Sequence, residues 1–149
     1  MFANGYSLPQ SLTVETVEDL LGEGYMVSPV FSIHGHDGDY DHVWEWEDLT
    51  PSIWEEGDYA IAGLVDFEPG CVVLLCEGKP VGFYLEGQAW IDPEHRGKGF
   101  GPKMVVSAIA FGGRLPDIKD IGFTEEGYRT HAAAVSLMLD LKAAQTMNP

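Results

Sequence analysis

The first 78 residues contain neither lysine nor arginine, although they hold sixteen of the chain's 24 aspartates and glutamates. All eight basic residues lie from Lys79 onward, where they meet the other eight acids, so the formal charge of −16 belongs to the first part of the chain. So acidic a segment argues against direct binding to nucleic acid or to an anionic membrane. It suits a cationic amine or a basic protein surface, unless the acids serve solubility alone. Cysteine is scarce as well. Cys71 and Cys76 stand five apart in an apolar run, which points them to opposite faces of a strand and disfavours a bridge, so both are expected as buried free thiols. No apolar run approaches the length of a membrane span, and Met1-Phe2-Ala3-Asn4 lacks the basic-then-apolar pattern of a secretory leader. A cytoplasmic protein is expected. At 149 residues the chain suits one domain, 1–149, with an acidic, partner-facing half over 1–70 and a second half over 71–149.

The most informative stretch runs from Gln88 to Phe111. Ala89, Trp90 and Ile91 favour a strand, Asp92-Pro93 ends it, and Met104, Val105, Ala108, Ile109 and Phe111 recur with helical spacing until Gly112-Gly113. Between strand and helix lie Arg96, Gly97, Lys98, Gly99, Phe100 and Gly101, a turn able to aim several N–H groups at one anion beside a helix N-terminus. A P-loop would need Ser or Thr after its lysine, and Gly99 follows Lys98. A dinucleotide fingerprint needs a different glycine spacing.

Arg96-Gly97-Lys98-Gly99-Phe100-Gly101, preceded by Ile91-Asp92-Pro93-Glu94-His95, resembles the acyl-CoA-binding motif of the GNAT superfamily of N-acetyltransferases. The resemblance implies an α/β (α+β) fold with a central mixed, mostly antiparallel sheet flanked by helices. It also implies acetyl-CoA as the cofactor, held by Trp90, Ile91, Arg96, Gly97, Lys98, Gly99, Phe100, Gly101 and Lys103. The second half, 71–149, becomes the coenzyme-binding half. Phe123 to Tyr128 followed by His131-Ala132-Ala133 is similar to the end of small GNAT-like proteins of phage and prophage genomes, which would place such a chain in host cytoplasm. No strand pattern follows the last helix, so the two C-terminal strands that usually complete the fold are expected to be missing.

Elsewhere the pattern predicts a first strand over Phe2–Leu8 and a helix from Thr13, with Thr13 as N-cap, Leu12 and Val17 as staple, and Val14, Val17, Leu20 and Leu21 on one face. Gly24 to Asp58 reads as mostly irregular. Thr50-Pro51 predicts a short helix over Ser52–Glu56 closed by Gly57, and Trp44, Trp46 and Trp54 read as local core. The segment His34–His42 fits neither a binuclear nor a calcium-loop ligand spacing, so no metal is expected there. Strands are predicted over Cys71–Cys76, Val81–Leu85 and Gln88–Ile91, a meander into the glycine loop. A short strand over Asp117–Ile121 and a helix capped by Thr124, stapled by Phe123 on Tyr128, complete the reading. That helix should carry Tyr128, His131 or Ala132, Val135, Met138 and Leu139 on its core face.

Under the resemblance, an amine attacks the thioester directly, the N–H near Ile91 polarises the carbonyl, and a base and an acid manage protons. Glu86 is the candidate base or else a solvated hairpin tip. Tyr128 is the candidate acid or else a staple residue, and His131 is its substitute or else structural. Two functions follow: an N-acetyltransferase acting on an amine of a small molecule or protein, or a GNAT-like protein without chemistry that inhibits or redirects a host protein through its acidic surface. Self-association as a homodimer is left open.

Overall fold

The computed structural model describes residues 1–21, 49–65, 70–85, 87–115 and 125–147. They form an α+β arrangement. Five strands, β1 (Trp54–Glu56), β2 (Tyr59–Gly63), β3 (Val72–Cys76), β4 (Lys79–Leu85) and β5 (Gln88–Ile91), lie in the order β1-β2-β3-β4-β5. Three helices accompany them: α1 (Val14–Glu18), α2 (Phe100–Gly112) and α3 (Glu125–Met147). Each neighbouring pair of strands is antiparallel, so among the described residues the sheet is a plain meander rather than a mixed one.

Local chemistry accounts for most of these elements. Glu77 and Gly78 both adopt positive φ (49° and 82°), the conformation of a two-residue hairpin turn whose twist matches the strands it joins. Pro80 has no N–H to give a ladder, and it sits where the register slips: Leu74 pairs with Gly82 but Leu75 with Pro80, leaving Val81 as the extra residue of a bulge. Thr13 and Thr16 cap α1 reciprocally, the Thr16 N–H donating to Thr13 Oγ1 (3.2 Å) and the Thr13 N–H to Thr16 Oγ1 (2.7 Å). A 3-10 turn over Asp19–Leu21 continues it, burying Leu20, while Val14 points outward at 53 % exposure.

The strands alternate between two apolar layers. Ile61, Val72, Leu74 and Tyr84 face the helices, whereas Ala62, Cys71, Val73 and Phe83 face away, with Trp90 packed beside them. Cys71 and Cys76 accordingly fall on opposite faces and are free, Cys71 buried and Cys76 half-buried. On α2, Met104 through Ile109 are buried in succession, each large apolar side chain contributing roughly 1.5–3 kcal/mol. His131, Ala134, Val135 and Met138 form the buried stripe of α3.

Three expectations change. The helix over Ser52–Glu56 is instead β1, because Trp54, Glu55 and Glu56 pair with Ile61, Ala60 and Tyr59, and Thr50 Oγ1 accepts from the Gly63 N–H (2.9 Å) rather than capping a helix. The strand over Phe2–Leu8 shrinks to a single bridge, Phe2 to Trp54, because the chain turns at Asn4-Gly5. β2 was not expected at all. Trp44, Trp46, the His34–His42 stretch, the strand over Asp117–Ile121, and Phe123 and Thr124 lie outside the described residues, while Trp54 is buried as core.

Candidate functional site

The glycine loop starts where β5 ends. Asp92 N–H donates inward to Val81 carbonyl oxygen (2.8 Å), and the register pairs Ile91 with Gly82. Backbone groups alternate sides along a strand, so Ile91 and Ala89 aim theirs at the outer edge of β5, which no other described strand covers. Asp92 then caps a 3-10 turn over Pro93–His95, its Oδ1 accepting from the Glu94 N–H (3.1 Å). Arg96 is extended, and Gly97 and Gly99 both take left-handed φ (78° and 81°) on either side of Lys98.

The second of these glycines is the N-cap of α2 and makes no side-chain cap. Without one, the N–H groups of Gly99, Phe100 and Gly101 are left over at the positive end of a 13-residue helix, and Pro102 has none to add. A Cβ placed on Gly97 or Gly99 would meet nothing within 4 Å, so backbone here borders open space. The chain matches no family model, no curated protein and no solved structure. What the loop can do must therefore be read from its own geometry.

Its cations do not all reach outward. Arg96 folds back, its Nε donating to the Ile91 carbonyl at 2.6 Å. Lys103 is gripped by Glu56 of β1, with Nζ 2.7 and 2.8 Å from the two carboxylate oxygens and 5.0 Å from the Phe100 ring centroid. That contact is the main reason Glu56 titrates below the usual carboxylate range. Lys98 Nζ donates to Tyr59 Oη (3.1 Å), which holds the ammonium above its ordinary pKa while leaving it exposed. Phe100 is buried, and Trp90 stacks on Phe83 with centroids 5.9 Å apart, on the face away from the helices.

Sequence reasoning missed Tyr59 and His95, whose Oη and Nδ1 lie 2.8 Å apart. Nothing in the sequence links residues 36 positions apart. The start of an alternating run at Tyr59-Ala60-Ile61-Ala62 was the available signal for β2, but not for this contact.

The catalytic candidates fall in different places. Glu86 lies outside the described residues. Tyr128 is half-buried on α3 against the main core. His131 is wholly buried, with Nδ1 2.7 Å from the Gly127 carbonyl and Nε2 2.8 Å from Tyr84 Oη. A carbonyl can only accept, so Nδ1 carries the proton and Nε2 accepts from the Tyr84 hydroxyl. Burial pulls the imidazole below its ordinary pKa, against the raising effect of the Gly127 carbonyl, and burial likewise pushes the Tyr84 hydroxyl upward. α3 meets the loop at Thr130, whose Cγ2 would stand 3.2 Å from a Cβ on Gly101. Tyr128 and His131 lie on either side of that contact in sequence.

Proposed function

We propose that this chain is a GNAT-type N-acetyltransferase that moves an acetyl group from acetyl-CoA to an amine of a small molecule or protein. One observation carries the reading: two left-handed glycines deliver the uncapped amides of α2 into open space, one 3-10 turn after β5, whose outer edge no other described strand covers. A pyrophosphate suits those amides, and an extended amide-bearing ligand arm suits the outward backbone of Ala89 and the Ile91 N–H, the Ile91 carbonyl being taken by Arg96.

The thioester is supplied by the coenzyme. On this reading the Ile91 N–H stabilises the oxyanion as the neutral amine attacks the carbonyl carbon, and the C–S bond then breaks. Tyr128 is the donor for the departing thiolate, and Glu86 or a water takes the amine proton. The acidic first half favours a cationic acceptor or a basic protein surface over nucleic acid. Among the described residues no helix is long and apolar enough to cross a membrane.

A second reading, a coenzyme-binding protein that acts on a partner without turnover, is favoured by His131, whose two ring nitrogens are both taken up inside the core. Calorimetry with acetyl-CoA tests the shared part of both readings. Binding that Gly99→Trp abolishes in a folded protein is expected, and binding untouched by that change would remove the loop as the site. Release of free coenzyme A thiol with a panel of diamines and lysine peptides then separates the two, since only the enzyme produces it. Because Gly99 has a left-handed φ of 81° that strains any side chain, thermal unfolding of the variant accompanies the titration; Gly101 is free of that strain, but a side chain there meets Thr130.

A further inference from the structure

The first residue of β2, Tyr59, lies against the glycine loop. Tyr59 Oη meets Lys98 Nζ at 3.1 Å and His95 Nδ1 at 2.8 Å, and its ring lies against that of Phe100 with centroids 4.3 Å apart. It thus touches the turn before the loop, the middle of the loop and the first residue of α2. An ammonium can only donate, so the Tyr59 oxygen accepts from Lys98.

Apart from these contacts, from Arg96, whose Nε is tied to the Ile91 carbonyl, and from the buried Phe100, no other side-chain contact fixes the loop among the described residues. Gly97 and Gly99 carry no side chains, a Cβ on either would have no neighbour within 4 Å, and Lys98 between them is exposed. A lysine on such a loop would ordinarily surrender its rotamer freedom on meeting a phosphate, which weakens binding. Here that freedom is given up on folding instead, and two of the three ammonium donors stay available.

The geometry points to Tyr59 as a positioning residue: its hydroxyl presets Lys98 for the phosphates of an acyl-CoA bound at the glycine loop. This role rests on the acetyl-CoA reading of the loop. It adds a residue from the acidic half, distant in sequence, to a site otherwise built within 88–103.

The test is calorimetry with coenzyme A on the parent, Tyr59→Phe, Lys98→Met and the double variant, with thermal unfolding of each. Tyr59→Phe keeps the ring on Phe100 and removes only the hydroxyl, so its melting temperature should stay close to the parent's. Its affinity should fall about two- to tenfold, the range of one net hydrogen bond. The double variant should bind no worse than Lys98→Met alone, because the hydroxyl acts through that ammonium. Parent-like affinity in Tyr59→Phe overturns the role, and so does a loss that persists undiminished in the Lys98→Met background, which would assign Tyr59 to packing. A parent that binds no coenzyme A fails the acetyl-CoA reading itself and takes this role with it, so the two failures are told apart by the first titration.

Discussion

Ser107 is wholly buried on α2, and its hydroxyl has no hydrogen-bond partner among the described residues. An orphaned buried hydroxyl carries a desolvation penalty of about 1–3 kcal/mol, so Ser107→Ala should leave stability unchanged or raise it by up to about that much. A fall of more than about 1 kcal/mol in urea unfolding would mean the hydroxyl is satisfied after all. His131 is the opposite case, a buried polar group with both nitrogens met. Its folded pKa lies below the ordinary value of about 6.5, so the unfolded chain binds the extra proton. Stability is then fully present above about pH 6.5 and is lost as pH falls below it, by at most about 1.4 kcal/mol per pH unit from this group. Unfolding at pH 7.5 and 5.5 should show the loss in the parent and not in Tyr84→Phe/His131→Leu, which replaces the hydroxyl and the imidazole together by apolar groups and takes from the Gly127 carbonyl its imidazole donor alone. An equal loss in the double variant would place the titrating group elsewhere. The sequence allowed His131 or Ala132 on the core face. What selects His131 is a hydroxyl on β4, 47 residues away, which no local pattern reveals.

At the scale of elements, legibility followed how local the cause was. The strand, loop and helix from Gln88 to Gly112 could be read directly, since helical periodicity, Asp92-Pro93 and the glycines all act within a few residues, and Gly113 closes α2 in a left-handed C-cap. β3 was equally plain, and β4 nearly so: it starts at Lys79, two residues before the expected Val81, because the turn needs only Glu77 and Gly78. β1 was misread because Thr50-Pro51 imitates a helix start, and only pairing with β2 decides otherwise. One contact shows how sheet and helix are fitted together. A Cβ on Gly63, the last residue of β2, would sit 2.8 Å from the Phe111 ring of α2, nearer than real carbon atoms approach. Gly63→Ala should therefore destabilise by about 1–3 kcal/mol, and Phe111→Leu should recover part of that loss by vacating the ring's space. Additive losses in the pair would show that the strain lies in the backbone instead.

For the molecule as a whole, the uneven charge is its most legible property and the one that bears most on the acceptor. All of the excess negative charge belongs to residues 1–78, while the phosphates of an acyl-CoA would meet a loop carrying Arg96, Lys98 and Lys103. All three cations are engaged with the chain itself, Arg96 with the Ile91 carbonyl, Lys98 with the Tyr59 hydroxyl and Lys103 with Glu56, and the last pairing neutralises a charge, so local attraction for an anion is tempered. With a net charge of −16, the far field is on balance repulsive to anions and attractive to cations. How far it reaches depends on salt, since the Debye length is about 30 Å at 0.01 M and about 10 Å at 0.1 M. Lowering ionic strength across that range should therefore pull the two ligands of an acetyltransferase apart. Coenzyme A should bind more weakly as the repulsion extends, and a cationic amine acceptor should bind more tightly as the attraction does. Calorimetry with coenzyme A and with a polyamine, each at both salt concentrations in the same buffer, reads the two slopes. Opposite signs are expected. Slopes of the same sign would mean that local contacts outweigh the net charge, and a polyamine affinity indifferent to salt would remove the acidic half from acceptor recognition.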